Sequence, residues 1–243
     1  MSARQGMSRA GEYEVTRRAM VTGMVGAAAV LGAGLRPAAA DNEDEAEALV
    51  EKSRLTLRSV LSDRGMRPFR DWVKKARGVF IAPQVVRGAF LVGASGGSGT
   101  FVARDQSNAW AGPAFYTIGQ ASFGFQAGAD VSELILLAMT DRGVTSLLSN
   151  QVKLGSDVSV AAGPVGGGVA ADTAGLSADI LSFSRSKGLY GGISLTGAVV
   201  TVRNKLNSAF YGADVNPTDI LITRKVSDPE ARPLLAAVAA AAR

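Results

Sequence analysis

Hydrophobic residues follow two different spacings along this chain. Before residue 78 they recur every three or four positions, which predicts two amphipathic helices, one opening in the acidic stretch Asp41–Glu47 and one over Pro68–Arg77. Asp63 and Gly65 separate the two helices. From Val79 onward, aliphatic and β-branched runs alternate with glycine and proline, which predicts strands that are joined by tight turns or packed closely.

The middle of the chain divides into ten predicted strands. They cover Val79–Ala82, Val85–Val92, Thr100–Arg104, Ala114–Ile118, Ser122–Ala129, Leu134–Thr140, Val158–Ala162, Val165–Ala171, Ser177–Phe183 and Tyr190–Thr196. Pro83, Pro113 and Pro164 lie at or between these runs, as expected of a residue that cannot donate to a strand ladder. The run Glu133–Thr140 is nearly all apolar and therefore predicts a strand buried on both faces.

Three more helices are predicted, a short one over Asp141–Ser149 and longer ones over Val199–Phe210 and Asp228–Ala242. The order of elements indicates a single α+β domain over residues 41–243. Its expected core is a curved antiparallel β-sheet or partial barrel covered by several helices.

Four phrases of the chain carry a resemblance to a known family. They are ARGVFIAP (76–83), WAGPAFYTIGQASFGFQAG (110–128), LGSDVSVAAGPVGGG (154–168) and SRSKGLYGGISLTG (184–197). Together they resemble the SYLF domain, also described as the Ysc84 actin-binding domain, from about Ala46 to Ile222. The resemblance implies a noncatalytic module that binds phosphoinositides and other anionic lipids and, in fungal members, actin.

The first forty residues predict a cleaved export signal. Arg17 and Arg18 precede an uncharged run from Ala19 to Leu35, and Ala38 and Ala40 supply an A-x-A cleavage site. The segment is similar to a twin-arginine signal peptide, with general secretion and a single-pass anchor as the alternatives. The predicted product is a periplasmic or extracellular protein that is soluble or peripheral to a membrane.

Charge and composition narrow the function classes. The formal charge of +5 falls to +2 once the predicted signal is removed, which argues against a nucleic-acid binder. The chain has no cysteine and no histidine. Disulfides, the usual zinc sites and Ser-His-Asp catalysis are therefore excluded, and neither a metal nor a cofactor is expected.

Two serine motifs resemble catalytic ones. Gly93–Gly97 matches G-x-S-x-G, but without a histidine to activate the serine its glycines are interpreted as turn residues. Ser184 and Lys187 match S-x-x-K without the other elements of a Ser-Lys hydrolase. Catalysis by this pair remains the minor alternative to a protein that is not an enzyme.

The most basic window of the chain lies in and just before the second predicted helix. It holds six cations against two aspartates between Asp63 and Arg77: Arg64, Arg67, Arg70, Lys74, Lys75 and Arg77. One interpretation is a solvated helix face with Phe69 and Trp72 in the core. The other is an interfacial helix whose aromatics reach the acyl boundary while its cations bind lipid headgroups.

A second candidate set lies downstream. Arg185 and Lys187, together with Arg203 and Lys205 on the following helix, are potential phosphate donors, or else ordinary surface charges. The hypothesis for function is therefore noncatalytic binding of anionic phospholipids or phosphoinositides at the envelope. The alternative is an envelope structural factor with a protein partner, and actin is a partner only if the protein reaches a host cell.

Overall fold

Helices flank a central sheet, in agreement with the two hydrophobic spacings. The computed structural model describes residues 38–90, 92–123, 128–164, 177–186, 189–191 and 193–243. Residues Ala38–Arg243 form one compact unit. The segment predicted to be an export signal lies outside the described residues up to residue 37, and its cleavage stays a prediction.

Six α-helices and nine strands lie in the described residues. The helices are α1 (Ala38–Ser62), α2 (Arg67–Lys75), α3 (Asp141–Leu147), α4 (Asn204–Tyr211), α5 (Pro217–Leu221) and α6 (Arg232–Ala241). The strands are β1 (Gly78–Phe90), β2 (Val92–Arg104), β3 (Trp110–Phe123), β4 (Gly128–Ala138), β5 (Gln151–Lys153), β6 (Val160–Ala162), β7 (Ile180–Ser186), β8 (Leu189–Gly191) and β9 (Val199–Val202). Short 3₁₀ turns at Arg64–Met66 and Pro229–Ala231 precede α2 and α6.

The strands form one curled sheet with the shape of a half-barrel. Their order is β5-β9-β3-β2-β1-β4-β7-β6, and β8 pairs with β7. Neighbouring strands are antiparallel except β6 and β7, which are parallel. The predicted α+β class with a curved sheet under helices is confirmed.

Alternate residues of the central strands enter two different cores. Val79 and Ile81 of β1 face α1, α2, α4 and α6, whereas Phe80 and Ala82 face the opposite side, which α3 and α5 help to cover. In β4 the residues from Leu134 to Ala138 are all buried and alternate in the same way. The prediction that this run is buried on both faces is confirmed.

Two prolines lie inside strands, which corrects the prediction that they interrupt them. Pro83 is in β1 where the pairing register shifts, and Pro113 is in β3 where the register against β2 shifts. Each shift is a β-bulge, where an extra residue is left out of the ladder, so the missing N–H of proline costs little there. The predicted strands Val79–Ala82 and Val85–Val92 are therefore parts of one long strand, β1, except that Val92 already belongs to β2.

Other predictions were wrong in their extent, and the run Ser122–Ala129 that was predicted as one strand contains the end of β3 and the start of β4. Val199–Val202 is strand β9 rather than helix, because this β-branched run pairs with β3 and β5 before α4 begins at Asn204. Gly93–Gly97, whose glycines were interpreted as turn residues, is part of strand β2. The strand predicted over Val165–Ala171 lies outside the described residues.

Close packing explains two of the glycines in β2. A Cβ at Gly97 would lie 2.2 Å from the carbonyl oxygen of Gln84, in the bulge of β1. One at Gly99 would lie 2.6 Å from the ring of Phe80 and 2.8 Å from the carbonyl oxygen of Ile81. The absence of a side chain at these positions lets β2 pass the bulged strand.

Candidate functional site: a basic groove between three helices

Helix α2 is fixed to the domain by its apolar face. It begins at Arg67, with Pro68 in the first turn, where a missing N–H is tolerated. Phe69 and Val73 are fully buried, and the Phe69 ring meets that of Phe183 edge-on with centroids 5.2 Å apart. The other side of the helix is left to its charged residues.

The two aromatic residues predicted to contact lipid have different surroundings. Phe69 is 0% exposed and its ring packs against Phe183 of β7, so of the two interpretations the one with Phe69 in the core is correct and the one with Phe69 at an acyl boundary is wrong. Trp72 is half-buried against the same core. The Nζ atom of Lys75 lies 5.1 Å from the centroid of the Trp72 ring, in a cation–π arrangement.

The basic residues of this segment do not all face open solvent. Arg70 is half-buried, and its Nη1 atom donates to the carbonyl oxygens of Leu61 at 2.6 Å and Asp63 at 3.1 Å. Unpaired carbonyls at a helix end accept such bonds readily, so Arg70 caps α1 and fastens α2 to it. Arg64, Arg67, Lys74, Lys75 and Arg77 are exposed.

A groove of about 540 Å³ runs between the ends of α1, α2 and α6. Its floor is formed by small and apolar residues, namely Leu61, Ala237, Ala240 and Ala241. Its rim carries five cationic side chains: Arg54, Arg58, Arg70, Lys74 and Arg243. No acidic side chain lines it among the residues that the structure describes.

Helical spacing explains how the groove forms. Arg54 and Arg58 are four residues apart on α1, as are Arg70 and Lys74 on α2, so each pair lies on one helix face. The alanines of α6 have the same face-sharing spacing, and their short side chains leave the space between the cationic rows open. The packing of the three helices therefore gives the groove a cationic rim around an apolar floor.

One acidic residue moderates the rim. Glu51 of α1 accepts hydrogen bonds from Nε of Arg54 at 2.7 Å and from its Nη2 at 2.5 Å. This contact lowers the pKa of Glu51 and compensates part of the charge of Arg54. Arg58 and Lys74 make no ion pair within the described ranges of the chain.

Arg54 and Arg58 were missed as site residues at the sequence level. Their four-residue spacing was a usable signal, because it places both guanidinium groups on one face of a predicted helix. The sequence does not show that α2 and α6 pack beside this face and so make it part of a groove. The contribution of the alanines in α6 had no sequence signal of its own.

The downstream cations do not form a single site. Arg185 pairs with Glu133 and donates to Ser59 Oγ at 2.8 Å, near the end of α1. Arg203 pairs with Glu45, near the start of α1, and donates to Ser98 Oγ at 3.0 Å. Positions 45 and 59 are about 21 Å apart along a helix that rises 1.5 Å per residue. The guanidinium groups of Arg185 and Arg203 are therefore too far apart to bind the same phosphate.

The remaining members of that set contribute little structural evidence. Lys205 is exposed on α4, and Lys187 lies outside the described residues.

The hydrogen bond from Arg203 holds the pKa of Glu45 below its usual value, as expected for a carboxylate in an ion pair. Arg203 thus has a protein carboxylate where a ligand phosphate was predicted.

The serine motifs lie in positions unlike those of known nucleophiles. Ser95 is in the interior of β2, paired with Arg87 and Gln120, whereas a nucleophile elbow is a sharp turn from strand to helix. Ser184 is half-buried in β7, and its proposed base Lys187 lies outside the described residues.

No cluster of metal-binding side chains occurs among the described residues. No helix in the same residues has the length and hydrophobicity to cross a membrane.

Comparison with known proteins assigns the chain to a family. A model of the Ysc84 family, described as "Las17-binding protein actin regulator", matches residues 119–241, just over half of the chain. The match includes α6 but begins after α1 and α2.

Individual relatives agree with this match. SH3 domain-containing YSC84-like protein 1 of Homo sapiens is 35% identical over 151 residues, which are 61% of this chain and 44% of that protein. Protein YSC84 of Saccharomyces cerevisiae is 33% identical over 168 residues, 67% of this chain and 36% of that protein. The chain thus spans less than half the length of these relatives, whose names do not describe enzymes. The chain belongs to the Ysc84 family, the family of the SYLF domain.

Proposed function

We propose that this chain is a noncatalytic binding module that attaches to anionic phospholipid surfaces at the cell envelope through the basic groove. The observation that carries the proposal is the combination of a cationic rim with an apolar floor. Lipid headgroups present negative charge above hydrocarbon, so both parts of the groove have a complement in a bilayer surface.

The expected strength follows from the charges. Each basic residue near an anionic membrane contributes about 1 kcal/mol. Arg58 and Lys74 are exposed and make no ion pair in the described part of the chain, so they should contribute fully. Arg54 is partly neutralised by Glu51, and Arg70 is held by the end of α1, so both should contribute less.

A vesicle-binding experiment tests the groove. The double variant Arg58→Gln/Lys74→Gln should bind vesicles of phosphatidylglycerol and phosphatidylcholine about thirtyfold more weakly than the unchanged protein at low salt, from roughly 2 kcal/mol of lost attraction. Binding of the unchanged protein should weaken as salt rises, because exposed charges are screened over about 8–10 Å.

A matched control separates the groove from net charge. Lys52→Gln/Lys153→Gln removes the same charge from two exposed positions that do not line the groove. It should bind vesicles nearly as well as the unchanged protein. Equal losses in the two double variants, with melting temperatures unchanged, would reject the groove as the attachment site.

A second candidate function is a protein-interaction factor of the envelope. The family description, with its reference to Las17 binding and actin regulation, favours this possibility. A cationic groove would then select an acidic segment of the partner. Cosedimentation with actin filaments tests whether actin is the partner. If the unchanged protein pellets with the filaments and Arg58→Gln/Lys74→Gln does not, actin binding through the groove is supported. If the unchanged protein does not pellet, actin is excluded as a partner.

A further inference from the structure

Three cations line a second cavity, beside the C-terminal end of α2. Lys75 comes from the end of α2, Arg77 from the segment before β1, and Arg104 from the end of β2. The cavity is about 310 Å³ and is completed by Asp105, Gln106 and Asn108. It is lined mostly by polar atoms, so its occupant is expected to be hydrophilic.

Arg104 is held in place within this cavity. Its Nη2 atom donates to the carbonyl oxygen of Lys74 at 2.9 Å, and its guanidinium lies 5.6 Å from the centroid of the Trp110 ring. No carboxylate pairs with Arg104 in the part of the chain that the structure describes. A guanidinium has five N–H donors, so most of its capacity is left for a ligand.

The surroundings of Arg104 favour a bound anion. Partial burial lowers the pKa of Arg104, and the like charge of Arg77 lowers it further. Arg77 itself donates from Nη1 to Asp141 at 2.7 Å, a contact that leaves its remaining donors available. An anion between these side chains would supply Arg104 with a counter-charge and relieve its repulsion from Arg77.

Asp105 does not supply that counter-charge, because its oxygens are already engaged. Oδ1 accepts from the backbone N of Ser107 at 2.8 Å, from Ser107 Oγ at 2.7 Å and from the backbone N of Ala109 at 3.0 Å. Oδ2 pairs with Nη2 of Arg224 at 2.8 Å. The carboxylate therefore organises the loop after β2 and leaves the cavity with a net positive charge.

We propose that Lys75, Arg77 and Arg104 bind the terminal phosphate of a phosphate monoester. A monoester has three terminal oxygens and a charge approaching −2 at neutral pH, and three cations that line one cavity match it. A phosphodiester has two such oxygens and a single charge, so it should bind more weakly. The arginines supply planar N–H forks and the lysine a mobile point charge.

The phosphate has two chemical sources, a soluble monoester or a lipid such as phosphatidic acid. In the lipid case the inference rests on the proposed membrane attachment, with the cavity adding headgroup preference to the groove. In the soluble case it stands alone. The experiment therefore has one arm for each source.

The soluble arm uses the chain's two tryptophans as reporters. Trp72 lies under Lys75 and Trp110 under Arg104, so occupation of the cavity should change the emission of both. Titration with glycerol phosphate should saturate, and Arg104→Gln should weaken binding about tenfold to a hundredfold. Arg104→Lys should bind with intermediate affinity, and Lys153→Gln should bind as the unchanged protein does.

The lipid arm compares vesicles of phosphatidic acid and phosphatidylglycerol at matched surface charge. The unchanged protein should prefer phosphatidic acid, Arg104→Gln should lose only that preference, and Arg58→Gln/Lys74→Gln should lose affinity for both. If Arg104→Gln melts early, Lys75→Gln, an exposed substitution, replaces it. Saturable glycerol phosphate binding that Arg104→Gln or its replacement weakens, without lipid preference, supports a soluble ligand.

The proposal is overturned by a flat fluorescence titration together with equal binding of both lipids. It is also overturned by a saturable response that is the same in Arg104→Gln, Lys75→Gln and the unchanged protein. Neither result would affect the groove, whose test depends on Arg58 and Lys74. Loss of vesicle binding in the groove variant alone would likewise leave the phosphate site intact.

Discussion

The cations between α1 and the sheet differ from those of the groove in what surrounds them. Arg185 and Arg203 each pair with a glutamate and donate to a serine, so their charges are neutralised within the protein. Arg58 and Lys74 make no ion pair in the described residues and lie beside further cations. The comparison teaches that basic residues identified together in a sequence divide, once folded, into a stabilising set and a binding set.

Removing Arg185 should produce the largest effect on stability. Arg185→Met leaves Glu133 partly buried without its counter-ion, which should lower the free energy of unfolding by about 2–3 kcal/mol. Urea denaturation measures the loss, and the double variant Arg185→Met/Glu133→Gln should regain part of it. A loss under about 0.5 kcal/mol would mean that water already screens this pair.

Arg70 belongs to both sets, and its removal should affect both measurements moderately. Arg70→Met loses two bonds to the carbonyls of Leu61 and Asp63, which should cost about 1–2 kcal/mol of unfolding free energy. Vesicle binding should weaken a few-fold. Arg67→Met, which removes an exposed cation from the same helix, should change stability by less than about 0.5 kcal/mol. Equal destabilisation by the two variants would contradict a capping role for Arg70.

Glu51 offers a way to strengthen the binding set. Glu51→Gln releases Arg54 from its ion pair and removes a negative charge next to the groove, so affinity for anionic vesicles should rise about fivefold, from roughly 1 kcal/mol. Stability should change by less than about 0.5 kcal/mol, since surface pairs on a helix contribute little. Glu43→Gln, about three turns before Arg54 on α1, is the control. Unchanged vesicle affinity in Glu51→Gln would remove Arg54 from the site.

The smallest expected effect is the pH dependence of the Arg203–Glu45 pair. Because its pKa is lowered from 4.5 in the folded chain, Glu45 contributes stability above that value and loses it as pH falls through the folded pKa. The pair is partly exposed, so the coupling should stay below about 1 kcal/mol. A double-mutant cycle with Arg203→Gln and Glu45→Gln should show more coupling near pH 7 than near about pH 3. Coupling of equal size at both values would exclude this ion pair as its source.

The sheet and its covering helices were predictable because hydrophobic spacing records which residues face a core. Phe69 and Val73 share a face of α2, and the apolar run of β4 forecasts burial on both sides. The extent of the strands was less predictable. Pro83 and Pro113 predicted breaks between strands, but each lies at a β-bulge within a continuous strand. Val199–Val202 is a strand because it pairs with β3 and β5, which the local sequence does not show.

The candidate site was predictable only in part. The basic character of α2 is a local property of the sequence, and Lys74 lines the groove as one member of that segment. The rest of the rim depends on how α1 and α6 cross beside it. Likewise, nothing near Arg185 in the sequence shows that Glu133 will lie next to it, since that pair forms only when β4 and β7 align.

The bulge of β1 and the glycine opposite it have a consequence for how this family can vary. The carbonyl oxygen of Gln84 occupies the space that a side chain at Gly97 would need. An extra residue in one strand is thus matched by an empty position in the next, and a side chain at that position is not tolerated while the bulge is present. In an alignment of homologues, a chain that has lost the additional residue of the first strand should be free to carry alanine or serine at the position facing it. A chain that keeps the bulge should therefore also keep the glycine.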